Sequence, residues 1–262
     1  MLPTNIKSLI LDMDGVLWRA DEEIGVLKRI FHKISRRGLF VAFATNNGTL
    51  TPQEYVRKFA GFGVDIEPWQ VITSAISVAN LLKSRFPSGG KVFTIGENGV
   101  IEALQDTGFS VEQNEGSSDI CAVVVGLDRK ITFKKMSEAT LLVRQGIPFY
   151  ATNPDRTYPT PRGEIPGAGA WISVIIEATR IAPIYAGTPE PDILLLAREQ
   201  LGTPVSDTLV VGDRIATDIV GGQAAGMPTA LVLSGVSSEA EANAWEPKID
   251  FIAQNLQALI ED

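Results

Sequence analysis

The chain has 262 residues, which is enough for one large domain or two modest ones. Apolar residues make up 45% of it and charged residues 21%, proportions typical of an ordinary globular protein. The net charge of −8 argues against a general nucleic-acid binder, because phosphate backbones require a basic face.

Short apolar runs rich in β-branched residues alternate with helical patterns at both ends of the chain. The predicted strands there are 8–12, 40–44, 183–186, 208–212 and 229–233. The predicted helices between them are 23–37, 52–62, 191–201 and 218–225. This alternation predicts an α/β fold, with a Rossmann-like, doubly wound parallel sheet that carries helices on both faces.

The middle of the chain predicts a second, smaller α/β unit, which begins after the loop signal Pro-Ser-Gly-Gly at 87–90. Its predicted strands are 91–95, 120–126 and 148–151, and its predicted helices are 97–107, 133–145 and 170–179. We therefore predict a core domain of residues 1–78 plus 181–262, with residues 79–180 inserted as a second domain.

The cellular location is predicted from what the sequence lacks. Cys121 is the single cysteine, so no intramolecular disulfide can form. Neither a signal peptide nor an apolar run of membrane-spanning length is evident, and we predict a cytoplasmic protein without a membrane partner.

His32 is the single histidine and lies off the apolar stripe of its helix. Carboxylates must therefore carry any proton transfers.

Polar side chains follow three predicted strands at the point where each strand ends. Asp12 and Asp14 follow the first strand, Thr45 follows the second, and Asp213 follows a later one. Ligands of parallel α/β sheets bind at the carboxyl ends of the strands. Two carboxylates one residue apart repel each other, so a positive group between them or a chemical role for one of them is expected.

Six stretches of sequence carry a family resemblance. They are DMDGV at 12–16, ATNNG at 44–48, TNPD at 152–155, PGAGA at 166–170, AGTPEPD at 186–192 and VVGDRIATDI at 210–219. In order and placement they resemble the haloacid dehalogenase-like superfamily of Mg²⁺-dependent phosphotransferases. The two middle stretches resemble the NagD-like and 4-nitrophenylphosphatase subfamily. In that subfamily an α/β cap is inserted at the place where the second unit is predicted here.

The resemblance implies catalytic roles for the first two aspartates. Asp12 would be the nucleophile that attacks phosphorus and forms an aspartyl-phosphate. Asp14 would protonate the leaving group and then deprotonate the hydrolytic water. The side chain of Asp14 must then point away from the metal, which explains how the two charges coexist.

The resemblance also implies a Mg²⁺ ion, which would offset the repulsion between the nucleophile and a phosphate dianion. Asp12, the backbone carbonyl of Asp14 and Asp213 would supply the protein ligands. Asp218 would hold the second shell. Mg²⁺ takes about six oxygen ligands and usually retains waters, which suits this donor set.

Phosphate contacts are implied for Thr45 and for the N–H of Asn46, as donors aimed at developing charge. The family's third motif normally reads Gly-Lys-Pro, but here Thr188 stands in place of the lysine. The loss of such a charged contact is expected to cost about 10²–10³ in rate. The candidates for a substitute cation are Arg19, Arg156 and Arg214.

Other interpretations stay open at this point. Each aspartate alone is more often a solvated residue at a strand end, and Asp218 could be an acid in the first turn of a helix. Thr45 or Asn46 could be only a cap. The chain could bind Mg²⁺ and phosphate without useful turnover, because Thr188 carries no charge. A dehalogenase of the same superfamily fits less well, since that chemistry needs neither Mg²⁺ nor the second aspartate.

The expected substrate is a small phosphorylated metabolite. Residues 153–169 are expected to set its identity among sugar phosphates, phosphoglycolate, glycerol phosphate and nucleotides. Arg129 and Arg162 could meet the leaving group, and Trp18 and Trp171 could line the pocket, although core packing is the simpler role for them. The oligomeric state is open, and an exposed cap helix could pair with a second copy in a homodimer.

Overall fold

The computed structural model describes residues 3–160 and 162–261, and the side chain of Pro159 is outside the description. These residues form two compact units. The first takes in the described parts of Met1–Thr45, Pro52–Ile72 and Thr188–Asp262, and the second comprises Asn46–Thr51 and Thr73–Gly187. The second unit contains the whole of the predicted insert, residues 79–180, and extends beyond it at both ends.

The first unit is built on a six-stranded sheet. In spatial order its strands are Phe251–Ala253, Thr229–Val232, Thr208–Gly212, Ser8–Leu11, Phe40–Thr45 and Val71–Thr73. The strand Ser8–Leu11 pairs in parallel with both of its neighbours, so that Leu11 lies beside Val211 and Phe43. The carboxyl ends of these three central strands therefore meet at one edge of the sheet.

Both faces of this sheet are covered. Leu9, Ile10 and Leu11 are all fully buried, although successive side chains of a strand point to opposite faces. The α-helices of the unit are Leu27–Arg36, Pro52–Gly61, Asp192–Leu201, Val220–Ala224, Glu239–Ala244 and Leu256–Glu261. Shorter elements are the two-stranded ribbon Trp18–Arg19 with Glu22–Glu23, the 3₁₀ turns Pro68–Gln70 and Val205–Asp207, and the π-helical turn Ile215–Ile219.

The second unit contains a five-stranded parallel sheet. Its strands, in spatial order, are Ile184–Tyr185, Phe149–Ala151, Ile120–Val125, Gly90–Ile95 and Phe109–Glu112. The helices of the unit are Ser74–Arg85, Asn98–Asp106, Phe133–Arg144 and Ala168–Thr179. Val92 packs with the first two helices, whereas its neighbour Phe93 packs with the last two. Helices therefore cover both faces of this sheet as well.

The structure corrects several sequence predictions. Residues 183–186 were predicted in the core sheet, but Ile184–Tyr185 extends the second sheet beside Phe149–Ala151. The chain enters this strand soon after the helix Ala168–Thr179, and Tyr185 packs in the same hydrophobic cluster as that helix, so the strand stays with the second sheet. Residues 153–169, in which no strand was predicted, contain the hairpin Thr157–Thr160 with Gly163–Pro166. The first helix begins at Leu27 rather than at residue 23, since Glu22–Glu23 is paired and the Glu23 carboxylate accepts the Leu27 N–H at 2.9 Å.

Some elements were not predicted at all. The sequence pattern missed the strands Val71–Thr73, Phe109–Glu112 and Phe251–Ala253, because runs of three or four residues give little periodicity. The helix predicted over 218–225 begins as the π turn Ile215–Ile219. Within residues 3–160 and 162–261, no helix has the length and apolar character needed to cross a membrane. The predicted cytoplasmic location stays a prediction.

Candidate active site

A tight turn follows the central strand and carries the first two acidic residues. The Asp12 N–H donates to the carbonyl of Val211 at 2.9 Å and so extends the sheet by one bond. The chain then reverses through Gly15, whose φ is +86°. A Cβ at this position would lie 2.5 Å from Oδ2 of Asp213, so glycine is needed both for the turn and for the close approach of Asp213.

The strand Thr208–Gly212 ends in a loop that closes on the carboxylate of Asp218. Oδ2 of Asp218 accepts the N–H groups of Asp213 at 3.1 Å and Arg214 at 3.0 Å. The Thr217 hydroxyl donates to Oδ1 at 3.0 Å. Asp218 therefore fixes the backbone that presents Asp213, and its side chain lies so close to Gly212 that a Cβ there would overlap it.

Asp213 is held from a second direction by the loop after the strand Thr229–Val232. The N–H of Val236 donates to Oδ2 of Asp213 at 2.7 Å, and the N–H of Ser237 donates to its backbone carbonyl at 3.0 Å. A Cβ on Gly235 would overlap the Asp213 carboxylate. The orientation of this side chain is thus fixed by backbone groups from two strand ends.

Three carboxylates converge at this edge of the sheet. Asp12, Asp213 and Asp218 each offer an oxygen, and the three oxygens lie within 4.8 Å of one another. Hard divalent cations such as Mg²⁺ prefer carboxylate oxygens and take several of them. The cluster therefore has the donor chemistry of a metal centre, and it brings together three aspartates that the sequence analysis grouped.

Burial, together with the proximity of these groups to one another, raises their pKa values. Burial is the main cause for Asp12, whose pKa rises well above its ordinary value, and the charges of Asp218, Asp213 and Asp14 add to the effect. Burial and the charge of Asp213 raise the pKa of Asp218 to about 7. Burial also raises the pKa of Asp213, although the Val236 N–H opposes it. The cluster therefore favours either protons or a cation.

The stability of the metal-free protein is expected to fall as the pH rises from about 4 to about 7. The ordinary aspartate pKa is 3.8, whereas that of folded Asp218 is about 7, so the folded chain retains a proton that the unfolded chain has lost. Below about pH 4 both states hold the proton, and above about pH 7 the loss is complete. In Asp218→Asn, the loss of unfolding free energy over this pH range is expected to be smaller by a few kcal/mol, which is the order of magnitude that the pKa shift sets.

Thermal unfolding of the two chelator-treated proteins across this pH range is the measurement. Asp65→Asn, at an exposed position, is the matched control and should retain the wild-type dependence. Equal slopes for the wild type and Asp218→Asn would contradict the raised pKa of Asp218.

Asp14 has a different environment from the other three. Its Oδ1 accepts the indole N–H of Trp18 at 3.0 Å. Burial raises the pKa of Asp14, while the charge of Lys58 and the Trp18 hydrogen bond oppose the rise. Asp14 is therefore the acidic residue of this turn with a cation and a fixed side-chain donor nearby.

The remaining predicted site residues lie at the end of a strand, directly after it, and in the turn before the helix Asp192–Leu201. Thr45 is buried at the end of Phe40–Thr45 in the first unit. Asn46 belongs to the second unit, where its amide donates to Asp155 at 3.0 Å and its carbonyl accepts the Asn153 amide at 2.7 Å. Thr188 is buried, and its methyl lies 3.3 Å from where a Cβ on Gly221 would be.

The candidate cations differ in their surroundings. The guanidinium of Arg19 is exposed and donates through Nε to the carbonyl of Ser234 at 2.9 Å. Arg214 lies close enough to lower the pKa values of Asp213 and Asp218 by its charge. Arg129, which was suggested to meet the leaving group, donates through Nε to Glu97 at 2.7 Å. Arg214 is thus the arginine that acts on the acidic cluster.

The other arginines and tryptophans that were singled out from the sequence lie as follows. Arg156 and Arg162 are exposed in the second unit. Trp171 is half-buried in the helix Ala168–Thr179. Trp18 is fully buried among aromatic side chains, which is the core-packing role that the sequence analysis considered simpler.

Sequence reasoning missed three contributors to the site. Lys58 lies on the helix Pro52–Gly61, where one lysine among surface residues gives no signal. Gly235 and Val236 act through backbone contacts with Asp213, which depend on the neighbouring strand and not on side-chain type. The only sequence signal for this contact was Gly235, which follows the predicted strand 229–233 at the point where ligand sites of parallel sheets form.

Comparison with known proteins assigns the family. Residues 9–110 match the family described as haloacid dehalogenase-like hydrolase, and residues 185–259 match the one described as HAD-hydrolase-like. An acid sugar phosphatase of Staphylococcus aureus is 36% identical over 232 residues, which cover 88% of each chain. The chain belongs to the haloacid dehalogenase-like hydrolases.

Solved structures of this family agree with that assignment over nearly the whole chain. NagD from Escherichia coli K-12 is 32% identical with a TM-score of 0.88, and the match covers 96% of this chain and 97% of NagD. A glycerol phosphate phosphatase from Mycobacterium tuberculosis, solved in complex with magnesium, is 30% identical with a TM-score of 0.91. That match covers 98% of this chain and 78% of the other. The predicted fold class is confirmed, and so are the predicted resemblance to NagD-like proteins and the predicted class of enzyme, a phosphatase of this family.

Proposed function

We propose that the protein is a Mg²⁺-dependent phosphomonoester hydrolase that acts on a small phosphorylated metabolite through an aspartyl-phosphate on Asp12. The observation that carries the proposal is the convergence of Asp12, Asp213 and Asp218 within 4.8 Å, with Asp14 held separately by Trp18. The named phosphatases among the relatives support the same reaction class.

The proposed first step is attack of an Asp12 carboxylate oxygen on phosphorus. The new Oδ–P bond forms as the P–O bond to the leaving group breaks, and the leaving oxygen takes both bonding electrons. Asp14, in its protonated form, donates its proton to that oxygen, so an alcohol departs. The raised pKa of Asp14 supports this role, because the carboxyl must be protonated when it meets the substrate.

The proposed second step regenerates the enzyme. Asp14, now a carboxylate, takes a proton from water while the water oxygen attacks phosphorus. The Oδ–P bond breaks, the electron pair returns to Asp12, and inorganic phosphate leaves. Asp14 ends the cycle protonated, so protons and charges balance over the two steps.

The residues present fit a magnesium ion. Asp12, the backbone carbonyl of Asp14 and Asp213 are the proposed ligands, and Asp218 is proposed to hold the second shell by fixing the backbone that presents Asp213. The raised pKa values of the three carboxylates support a cation at this place, since it would relieve their repulsion. When bound, the ion offsets the repulsion between carboxylate and phosphate and polarises a phosphoryl oxygen.

Further parts of the proposal concern substrate contacts. The Thr45 hydroxyl and the Asn46 N–H are proposed as donors to phosphoryl oxygens. The second unit is proposed as the cap, in which residues 153–169 set specificity. Sugar phosphates and glycerol phosphate are the first substrates to test, because relatives carry those names.

Phosphate release by the purified protein tests the proposal. Turnover of 4-nitrophenyl phosphate and glycerol phosphate is expected with Mg²⁺ and is expected to stop when a chelator removes the ion. Turnover that persists without any divalent cation would contradict the metal's role. Absence of turnover across a broad panel of phosphorylated metabolites, in a folded protein, would contradict the activity itself.

A second candidate function rests on Thr188, which stands where the family places a lysine. The charges of Asp218, Asp213 and Asp14 raise the pKa of Asp12, and Thr188 adds no positive charge to offset them. The chain could then bind Mg²⁺ and phosphate with little turnover. The same phosphate-release assay, combined with a metal-binding measurement, separates the two functions.

Thr188→Lys is expected to raise kcat about tenfold, a part of the 10²–10³ that one lost transition-state donor costs. The reason is that the new ammonium would neutralise charge on Asp12 and on the transferring phosphoryl group. Thr188→Met is the matched control, because it adds length without charge. Equal kinetics for the lysine and methionine variants would remove the missing charge as an explanation for slow turnover.

A further inference from the structure

The turn that carries Asp14 also carries Trp18, and backbone hydrogen bonds hold the two together. The N–H of Trp18 donates to the carbonyl of Met13 at 3.3 Å, and the N–H of Gly15 donates to the carbonyl of Trp18 at 2.8 Å. Asp14 and Trp18 thereby form a β-bridge across the turn. These backbone hydrogen bonds hold Trp18 next to Asp14.

The indole ring itself is fixed on both sides. Trp18 is fully buried; it meets Phe59 edge-on, with ring centroids 5.1 Å apart, and stacks on Phe62 at 5.8 Å with an interplanar angle of 19°. A ring packed in this way has one orientation, and the direction of its N–H is fixed with it. The hydrogen bond of 3.0 Å to Oδ1 of Asp14 therefore has a rigid donor.

A cation lies over the same ring. Nζ of Lys58 is 4.2 Å from the Trp18 ring centroid and donates to the carbonyl of Ala20 at 3.2 Å. A cation over an indole face attracts π-electron density and leaves the N–H more positive, which strengthens a hydrogen bond to a carboxylate. Lys58 is also close enough to Asp14 to attract its negative charge.

We propose that Trp18 is a positioning residue for proton transfer. Its indole N–H donates to Oδ1 of Asp14, so that Oδ2 is the oxygen that carries the proton exchanged with the leaving group and with water. Lys58, over the ring, strengthens that hydrogen bond. This inference rests on the proposed function, since it assigns a role within the same reaction. It requires the N–H of Trp18 and not merely its bulk.

The ratio of kcat/KM between an alkyl and an aryl phosphate distinguishes the proposed role of Trp18 from a purely structural one, because a structural defect would lower both values equally. The value of kcat/KM reports the steps up to departure of the leaving group, and a nitrophenolate departs without a proton, whereas an alkoxide of glycerol or a sugar needs one. Trp18→Phe keeps an aromatic ring and removes the N–H. We expect it to lower kcat/KM for glycerol phosphate about ten- to a hundredfold, and for 4-nitrophenyl phosphate about threefold or less.

Two further variants make this comparison sharp. Trp69→Phe is the matched control, because Trp69 is 49% exposed in the turn Pro68–Gln70 and lies outside the proposed machinery; it should leave both substrates unchanged. Lys58→Met removes the cation and keeps the length of the side chain. It should show the same substrate bias as Trp18→Phe at about two- to fivefold.

A measurement without turnover protects the test against a Trp18→Phe variant that fails to fold. The chain has four tryptophans, so ¹⁵N-labelled indole groups give four resolvable N–H signals. Asp14→Ala should shift the Trp18 signal upfield, as expected when a hydrogen bond to a carboxylate is lost, and leave the Trp69 signal in place. An unmoved Trp18 signal would overturn the inference.

The kinetic outcomes separate this inference from the proposed function. A wild type that hydrolyses both phosphates, together with an equal fall for both in Trp18→Phe, overturns the positioning role and leaves the proposed function standing. A wild type that hydrolyses neither overturns the proposed function, and the catalytic role of Trp18 with it. A bias against glycerol phosphate in Trp18→Phe and Lys58→Met, with Trp69→Phe unchanged, is the supporting result.

Discussion

Asp12→Asn is expected to lower phosphatase kcat by at least about 10⁴-fold while the protein stays folded. The amide that replaces the carboxylate has almost the same shape but is a poor nucleophile, so no aspartyl-phosphate can form. The substitution also removes one of several carboxylates that repel each other in a buried place, so metal-free Asp12→Asn should unfold at a temperature no lower than the wild type.

Steady-state kinetics with 4-nitrophenyl phosphate, together with thermal unfolding in chelator, measures both effects. Asp65→Asn makes the same chemical change at an exposed position and should leave both quantities unchanged. Activity retained in pure Asp12→Asn would remove this residue from the mechanism. A large drop in the unfolding temperature would instead show that the carboxylate stabilises the metal-free fold.

Asp14→Asn is expected to lower kcat/KM about 10²–10⁴-fold for glycerol phosphate, and about tenfold or less for 4-nitrophenyl phosphate. An asparagine cannot donate or take up the proton, but its Oδ1 can still accept the Trp18 N–H, so the loss isolates proton transfer from positioning. Because the second step also needs a base, the variant should release one nitrophenolate per chain rapidly and then turn over slowly.

Rapid mixing with 4-nitrophenyl phosphate measures the size of that burst, and acid quenching should find phosphate bound to the protein. A burst in Asp14→Asn that is missing in Asp12→Asn would assign the two aspartates to their separate roles. Equal losses for aryl and alkyl substrates without any burst would contradict a proton-transfer role for Asp14.

The four inner strands of the six-stranded sheet were predictable because they are continuous apolar runs that end at polar residues, whereas its two short edge strands were missed. Leu9–Leu11 before Asp12 and Val210–Gly212 before Asp213 place their acidic residues at one edge as soon as the strands are parallel. The predicted convergence of Asp12, Asp213 and Asp218 followed from that geometry and from the family resemblance, and the structure brings these three together. Their chemical roles stay proposals.

Other parts of the site depend on tertiary contacts that no local pattern reports. The Val236 N–H on Asp213 exists because two neighbouring strands end side by side, and neither residue type is special for it. Lys58 reaches the ring of Trp18 from a helix more than thirty residues away. The composition of the strand Ile184–Tyr185 fits either sheet, and only the structure shows that it pairs with Phe149–Ala151 in the second sheet.

Calorimetric titration of Mg²⁺ into the purified protein at about pH 8, above the pKa of about 7 of Asp218, is the sharpest test of the proposed metal centre. One ion per chain is predicted to bind to the wild type and to Asp65→Asn, with affinity at least about tenfold weaker in Asp213→Asn. Absence of Mg²⁺ binding in the folded wild type, or equal binding in Asp213→Asn, would contradict the proposal that these carboxylates hold a metal for attack on a phosphate.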